Sequence, residues 1–136
     1  MREILFRGQT RRKGEKVWMD GSPVDSNWVY GGIFQGPNYS VIYGYDPIEK
    51  HVVYSDTVGQ FTGLTDKDGK KIFEGDVVKA ERICNRETWM GSVVWWNGCF
   101  AIQGMKDRNV PAIDLFNVYE VIGNIHDNPE LLEATP

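Results

Sequence analysis

The sequence predicts a mainly β protein, on three observations. It holds 15 glycines and six prolines in 136 residues, enough to end an element every few positions. Five Trp, six Tyr and six Phe suit the half-buried, pleated surface of a sheet. Its apolar residues fall in runs of roughly four to eight, closed by Gly, Pro, Asn or Asp, and no 3.6-residue apolar stripe is long enough for an extended helix.

In chain order, Ile4–Arg7 and Val17–Met19 read as a first hairpin around the basic loop Thr10-Arg11-Arg12-Lys13-Gly14. After a polar turn from Asp20 to Asn27 come the run Trp28–Phe34, the run Tyr39–Tyr43 set off by Gly36-Pro37-Asn38, and, beyond Asp46-Pro47, the β-branched and aromatic run His51–Tyr54. Asp66-Lys67-Asp68-Gly69 is a tight turn, because Asp side chains bond nearby backbone N–H groups and Gly69 supplies positive φ. Glu74-Gly75-Asp76 leads into the strand Val77–Ala80. The end of the chain reads as a strand from Tyr119 to Ile125 and a short helix, with Asn128 as N-cap, Pro129 at the first helical position and Glu130 matched to the helix dipole.

The runs Trp89–Trp96 and Cys99–Gln103 surround Asn97-Gly98, the strongest short hairpin signal, since a type I′ turn needs φ > 0 at both positions. A two-residue turn sets Trp96 opposite Cys99, Trp95 opposite Phe100, Val94 opposite Ala101 and Val93 opposite Ile102. Val93, Trp95, Phe100 and Ile102 then form a core face. The other face, Val94, Trp96, Cys99 and Ala101, is apolar too, whereas a half-exposed antiparallel sheet alternates with polar residues. Packing by the N-terminal half or a sister chain would cover it; a ligand or partner surface is the alternative.

The formal charge is −4, although residues 1–16 are basic through Arg2, Arg7, Arg11, Arg12, Lys13 and Lys16. A domain built mainly to hold nucleic acid is usually basic overall, so the charge disfavours that class. A small β-barrel could still stack bases on Trp89, Trp95, Trp96 and Phe100 beside Arg82 and Arg86, with Arg11, Arg12 and Lys13 as further phosphate contacts. Cys84 and Cys99 are the only cysteines, too few for a disulfide framework and without the histidine spacing of a zinc site, and read as reduced thiols. Setting Gly69 at position 6 of a calcium loop puts Leu64 at position 1 and Gly75 at position 12, and neither offers a side-chain oxygen.

No nucleophile elbow, zinc helix, phosphate loop or dinucleotide fingerprint is present, and Glu74, Asp76 and Asp127 stand near turns without a His or Lys at telling spacing. The sequence names no catalytic residue, metal or cofactor. No run approaches the ~20 apolar residues of a membrane span, and the N-terminal residues lack the apolar core of a signal peptide, so the expectation is a cytosolic, non-membrane protein.

The segment from Thr57 to Val78, with Thr62-Gly63-Leu64-Thr65-Asp66-Lys67-Asp68-Gly69-Lys70 and Ile72-Phe73-Glu74-Gly75-Asp76-Val77-Val78 at its heart, resembles the hallmark of the YopX family of phage and prophage proteins. Tyr119-Glu120-Val121-Ile122-Gly123-Asn124-Ile125, Asp127-Asn128-Pro129-Glu130-Leu131-Leu132, Arg2-Glu3-Ile4, Phe6-Arg7-Gly8 and Trp28-Val29-Tyr30-Gly31 extend the likeness over nearly the whole chain, with Asp20 to Asn27 inserted. The resemblance implies an SH3-like barrel or roll in the C-terminal part with additional antiparallel N-terminal strands, and a bacterial host cytoplasm. It brings no activity and no site residues. The resulting expectation is two packed β parts, residues 1–56 and 57–136, forming a non-enzymatic accessory protein that binds a host or phage protein or self-associates, with a nucleic-acid-binding module as the alternative.

Overall fold

Short apolar runs broken by turn residues become strands throughout, with almost no helix. A computed structural model describes residues 3–15, 25–44, 49–84, 86–96, 98–104, 109–110 and 117–133. The chain divides into two units, Met1–Phe61 and Thr62–Pro136.

The first unit contains β1 (Phe6–Arg11), β2 (Asn27–Gln35), β3 (Ser40–Tyr43), β4 (Lys50–Val53), a 3-10 turn over Ser55–Thr57 and the start of β5 (Gly59–Thr65). The strands are antiparallel in the order β4-β3-β2-β1-β5. The first hairpin differs from expectation. β1 pairs with β2, from Phe6 opposite Gly31 to Arg11 opposite Asn27, with a bulge between Gln9 and Arg11. Residues 17–19 lie outside the described residues. The physical reason is occupancy: at Phe6 and Arg7 both edges of β1 are taken, by β2 on one side and by β5 on the other, and a strand has only two edges. Thr10 and Arg11 are therefore strand residues, not loop residues.

Gly31 is required by close approach, because a Cβ there would collide with the Tyr43 carbonyl. Past β4 the chain turns back onto β1: the Tyr54 N–H donates to the Gln9 carbonyl at 2.9 Å, and the Gln9 N–H donates to Thr57 Oγ1 at 2.9 Å. Val41, Ile42, Val53 and Phe61 are the buried apolar residues among the described residues of this unit.

The second unit holds the rest of β5, then β6 (Lys71–Phe73), β7 (Asp76–Arg82), β8 (Thr88–Trp96), β9 (Cys99–Gly104), β10 (Asn109–Val110), β11 (Asn117–Asn124) and α1 (Glu130–Glu133). Its five-stranded antiparallel sheet has the order β10-β9-β8-β7-β11. Ile72, Val78, Ala80, Val93, Ile102 and Tyr119 form one buried cluster, with Trp89 and Val121 packed against it. Phe73 and Val77 are also buried, whereas Leu64, Val121, Ile122 and Ile125 of the shared blocks are only partly so.

The strands make two antiparallel sheets, neither of them closed among the described residues. The outer edge of β11 is occupied by a turn instead of a strand: the Lys67 N–H donates to the Tyr119 carbonyl at 2.9 Å, and the Val121 N–H donates to Asp66 Oδ2 at 3.0 Å. The terminal helix is a single turn. At its start the Asn128 carbonyl accepts the Leu131 N–H at 3.1 Å, and Asn128 Oδ1 accepts the Asn124 N–H at 3.2 Å, folding the chain after β11. No helix among the described residues is long and apolar enough to cross a membrane.

Candidate functional site

The exposed end of the β8–β9 hairpin is the most chemically distinctive surface of the second unit. The predicted register is found: Val93 faces Ile102, Val94 faces Ala101, Trp95 faces Phe100 and Trp96 faces Cys99. Gly98 has φ of +81°, as the predicted turn requires, while Asn97 lies outside the described residues.

Burial divides the hairpin lengthwise as well as by face. Val93 and Ile102 are core, but Trp95, expected beside them, is 58% exposed. The reason is the end of the neighbouring strand. β7 pairs with β8 only as far as Ser92, and beyond that a single bond from the Gly75 N–H to the Val93 carbonyl continues the contact. Trp95 therefore extends past the sheet and packs edge-on against Phe100, with ring centroids 4.9 Å apart at 78°. Trp96 is 46% exposed.

Of the four residues expected to form a second apolar face, Val94 and Cys99 are half-buried and Trp96 is exposed, but Ala101 is 1% exposed. Ala101 thus belongs to the interior, which corrects its reading as surface: a methyl in the middle of a paired strand is covered by its longer neighbours. The Cys99 thiol donates to the Trp96 carbonyl at 3.4 Å. Val94, Trp95, Trp96, Ala101, Ile102 and Gln103 line a concavity of about 310 Å³.

The basic candidates fall into separate groups. Arg11, Arg12 and Lys13 belong to the first unit, and Arg82, Arg86 and Trp89 to the second. Arg12 is already engaged: Nη1 and Nη2 donate to the Asp56 carboxylate at 3.0 and 2.7 Å, and the guanidinium lies 4.1 Å from the Tyr54 ring centroid. The hydrogen bond to Asp56 raises the Arg12 pKa. Tyr54 in turn donates its hydroxyl to Glu15 Oε1 at 2.6 Å, which raises the phenol and lowers the carboxyl. Arg11 and Lys13 are exposed. Arg82 lies 5.6 Å from the Trp89 ring, which packs on the core, so Trp89 offers little face to a base. Arg86 is exposed and stands 3.8 Å from Glu81.

Asp66, read from the sequence as part of a local turn, also makes a long-range bond. It accepts the Asp68 and Lys70 N–H groups on Oδ1, each at 2.9 Å, and the Val121 N–H on Oδ2. Burial works to raise its pKa, but these three donors together outweigh burial and hold it below the ordinary value. Nothing in sequence spacing signals the Val121 bond. Among the described residues no group of His, Cys, Asp and Glu could hold a metal ion.

The sequence profile of the YopX protein family matches residues 38–133. No curated protein matches. Among solved structures the chain is similar to protein EF1440 from Enterococcus faecalis, with 20% identity, 97% of this chain and 99% of that chain covered, and a TM-score of 0.48. Strand runs, hallmark turn and profile agree, and the chain belongs to the YopX protein family.

Proposed function

We propose that this chain is a non-enzymatic accessory protein of phage origin, working in the bacterial cytoplasm through protein contacts that include self-association. The SH3-like roll implied for residues 57–136 is read as the parent arrangement of its open sheet. The observation that carries the reading is the pair of exposed tryptophans, Trp95 and Trp96, on opposite faces of one hairpin end. Exposed indoles beside a shallow concavity are the kind of anchor that dominates protein interfaces, because each buries a large apolar area with few rotamers to freeze. No cofactor is assigned.

The test is the solution mass of the wild type and of Trp96→Glu by light scattering behind a sizing column, with circular dichroism as the fold control. The reading expects a wild-type oligomer, or a captured partner, that is lost in a folded Trp96→Glu. An unfolded variant would make Trp96 core, and a folded variant with unchanged association would remove the hairpin end from the interface. A nucleic-acid role stands second: it would show as oligonucleotide binding that weakens steeply with salt, and no shift at low salt would remove it.

A further inference from the structure

The first unit has a strand edge beside a groove, and we propose that it receives an extended, largely apolar peptide strand of another protein, paired backbone to backbone with β4. This surface is separate from the β8–β9 hairpin end and does not depend on that reading.

The direction of each backbone group in β4 follows from two hydrogen bonds. The Gly44 N–H donates to the Glu49 carbonyl at 2.8 Å, so the backbone of Glu49 faces β3. Direction alternates along a strand, so His51 and Val53 also face β3, while Lys50, Val52 and Tyr54 face away. The bond from the Tyr54 N–H to Gln9 confirms that alternation, and the Tyr54 carbonyl is taken by Thr57. β4 is the last strand of its sheet, and among the described residues nothing pairs with the outward N–H and C=O groups of Lys50 and Val52. An edge of this kind is a template for an added strand.

A groove of about 590 Å³ lies beside the Val52 end of this edge, lined by Thr10, Tyr39, Val52, Tyr54, Ser55 and Asp56 among others. Val52 is 56% exposed and Tyr39 52%. Tyr54 is held in place before any ligand arrives, by the Arg12 guanidinium on its ring and by Glu15 on its hydroxyl. By register, Val52 continues a cross-strand row with Val41 and Phe34, so an apolar side chain opposite Val52 would extend that row by one strand.

Charge decides among occupants. The charged group in the lining is Asp56, and Arg12 neutralises it through both carboxylate oxygens. The groove lining gives a phosphate backbone no unpaired cation, whereas apolar side chains fit it, and Lys50, exposed at the start of the edge, would face a polar or acidic side chain of the added strand. A second copy of β4 is also disfavoured. Antiparallel self-pairing that matches Lys50 with Val52 centres on His51, which brings the two Lys50 ammonium groups onto one face as diagonal neighbours.

The experiment uses Val52→Pro. The N–H that proline removes is the outward one, so the β3–β4 ladder is retained while the docking edge loses a donor and gains a ring. Peptides are selected from a random phage-displayed library on the immobilised full chain, and their affinity is then measured for wild type and Val52→Pro. The proposal expects apolar, extended sequences that bind the variant about tenfold more weakly or worse. Amide hydrogen exchange of the wild type with and without a selected peptide keeps the test decisive if Val52→Pro misfolds: the Lys50 and Val52 amides should slow and the Trp95 amide should not. Failure to select any peptide, equal affinity for both proteins or protection elsewhere would overturn the proposal. A wild-type dimer that Val52→Pro converts to a monomer would overturn the choice of occupant.

Discussion

The Asp66 carboxylate accepts the backbone N–H of Val121 at 3.0 Å across 55 positions of chain. That bond joins the family's hallmark turn to the edge of β11, and with Lys67 it occupies the place where a closing strand would add. Asp66→Ala removes an acceptor of three backbone donors in a buried setting. It should cost about 2 kcal/mol or more in urea unfolding. Because the folded pKa lies below the unfolded one, the wild-type carboxylate contributes fully above about pH 4 and its contribution is lost as pH falls through the lower folded value. Asp66→Asn should flatten that part of the stability–pH curve.

Ile102 and Trp95 test the lengthwise division of the hairpin. Ile102→Ala opens a cavity in a fully buried cluster and should cost about 3 kcal/mol, lowering the urea midpoint with little change in slope. Trp95→Ala removes a larger side chain but one mostly in solvent, and should cost under about 1 kcal/mol beyond its ring pairing with Phe100. Equal costs would place Trp95 in the core.

Gly31→Ala should be among the most damaging single-methyl additions, since the new Cβ collides with the Tyr43 carbonyl, a backbone atom held by β2–β3 pairing. A loss of about 2 kcal/mol or more is expected in thermal unfolding. Gly63→Ala has open space around its Cβ and should lose only the backbone preference at its φ of +93°, about 1 kcal/mol.

Arg12 and Asp56 form a well-aligned but exposed pair, with side chains 43% and 61% accessible. A double-mutant cycle between Arg12→Ala and Asp56→Ala should return a coupling of about 1 kcal/mol or less. The coupling should shrink as salt is raised.

By itself, the amino-acid sequence determined the mainly β class, the family, the runs that become β7, β8, β9 and β11, and the β8–β9 register. These are local matters. Turn residues between apolar runs fix where strands end, and a two-residue turn fixes every cross-strand partner. The tertiary structure decided what depends on neighbours distant in the chain. It paired β1 with the longer β2, ended β7 before Trp95 so that an apparent core residue lies in solvent, and buried Ala101. It also brought Asp66 to the edge of β11. Exposure and long-range hydrogen bonds depend on which strand ends where beside which other, and no periodicity in a single run contains that information.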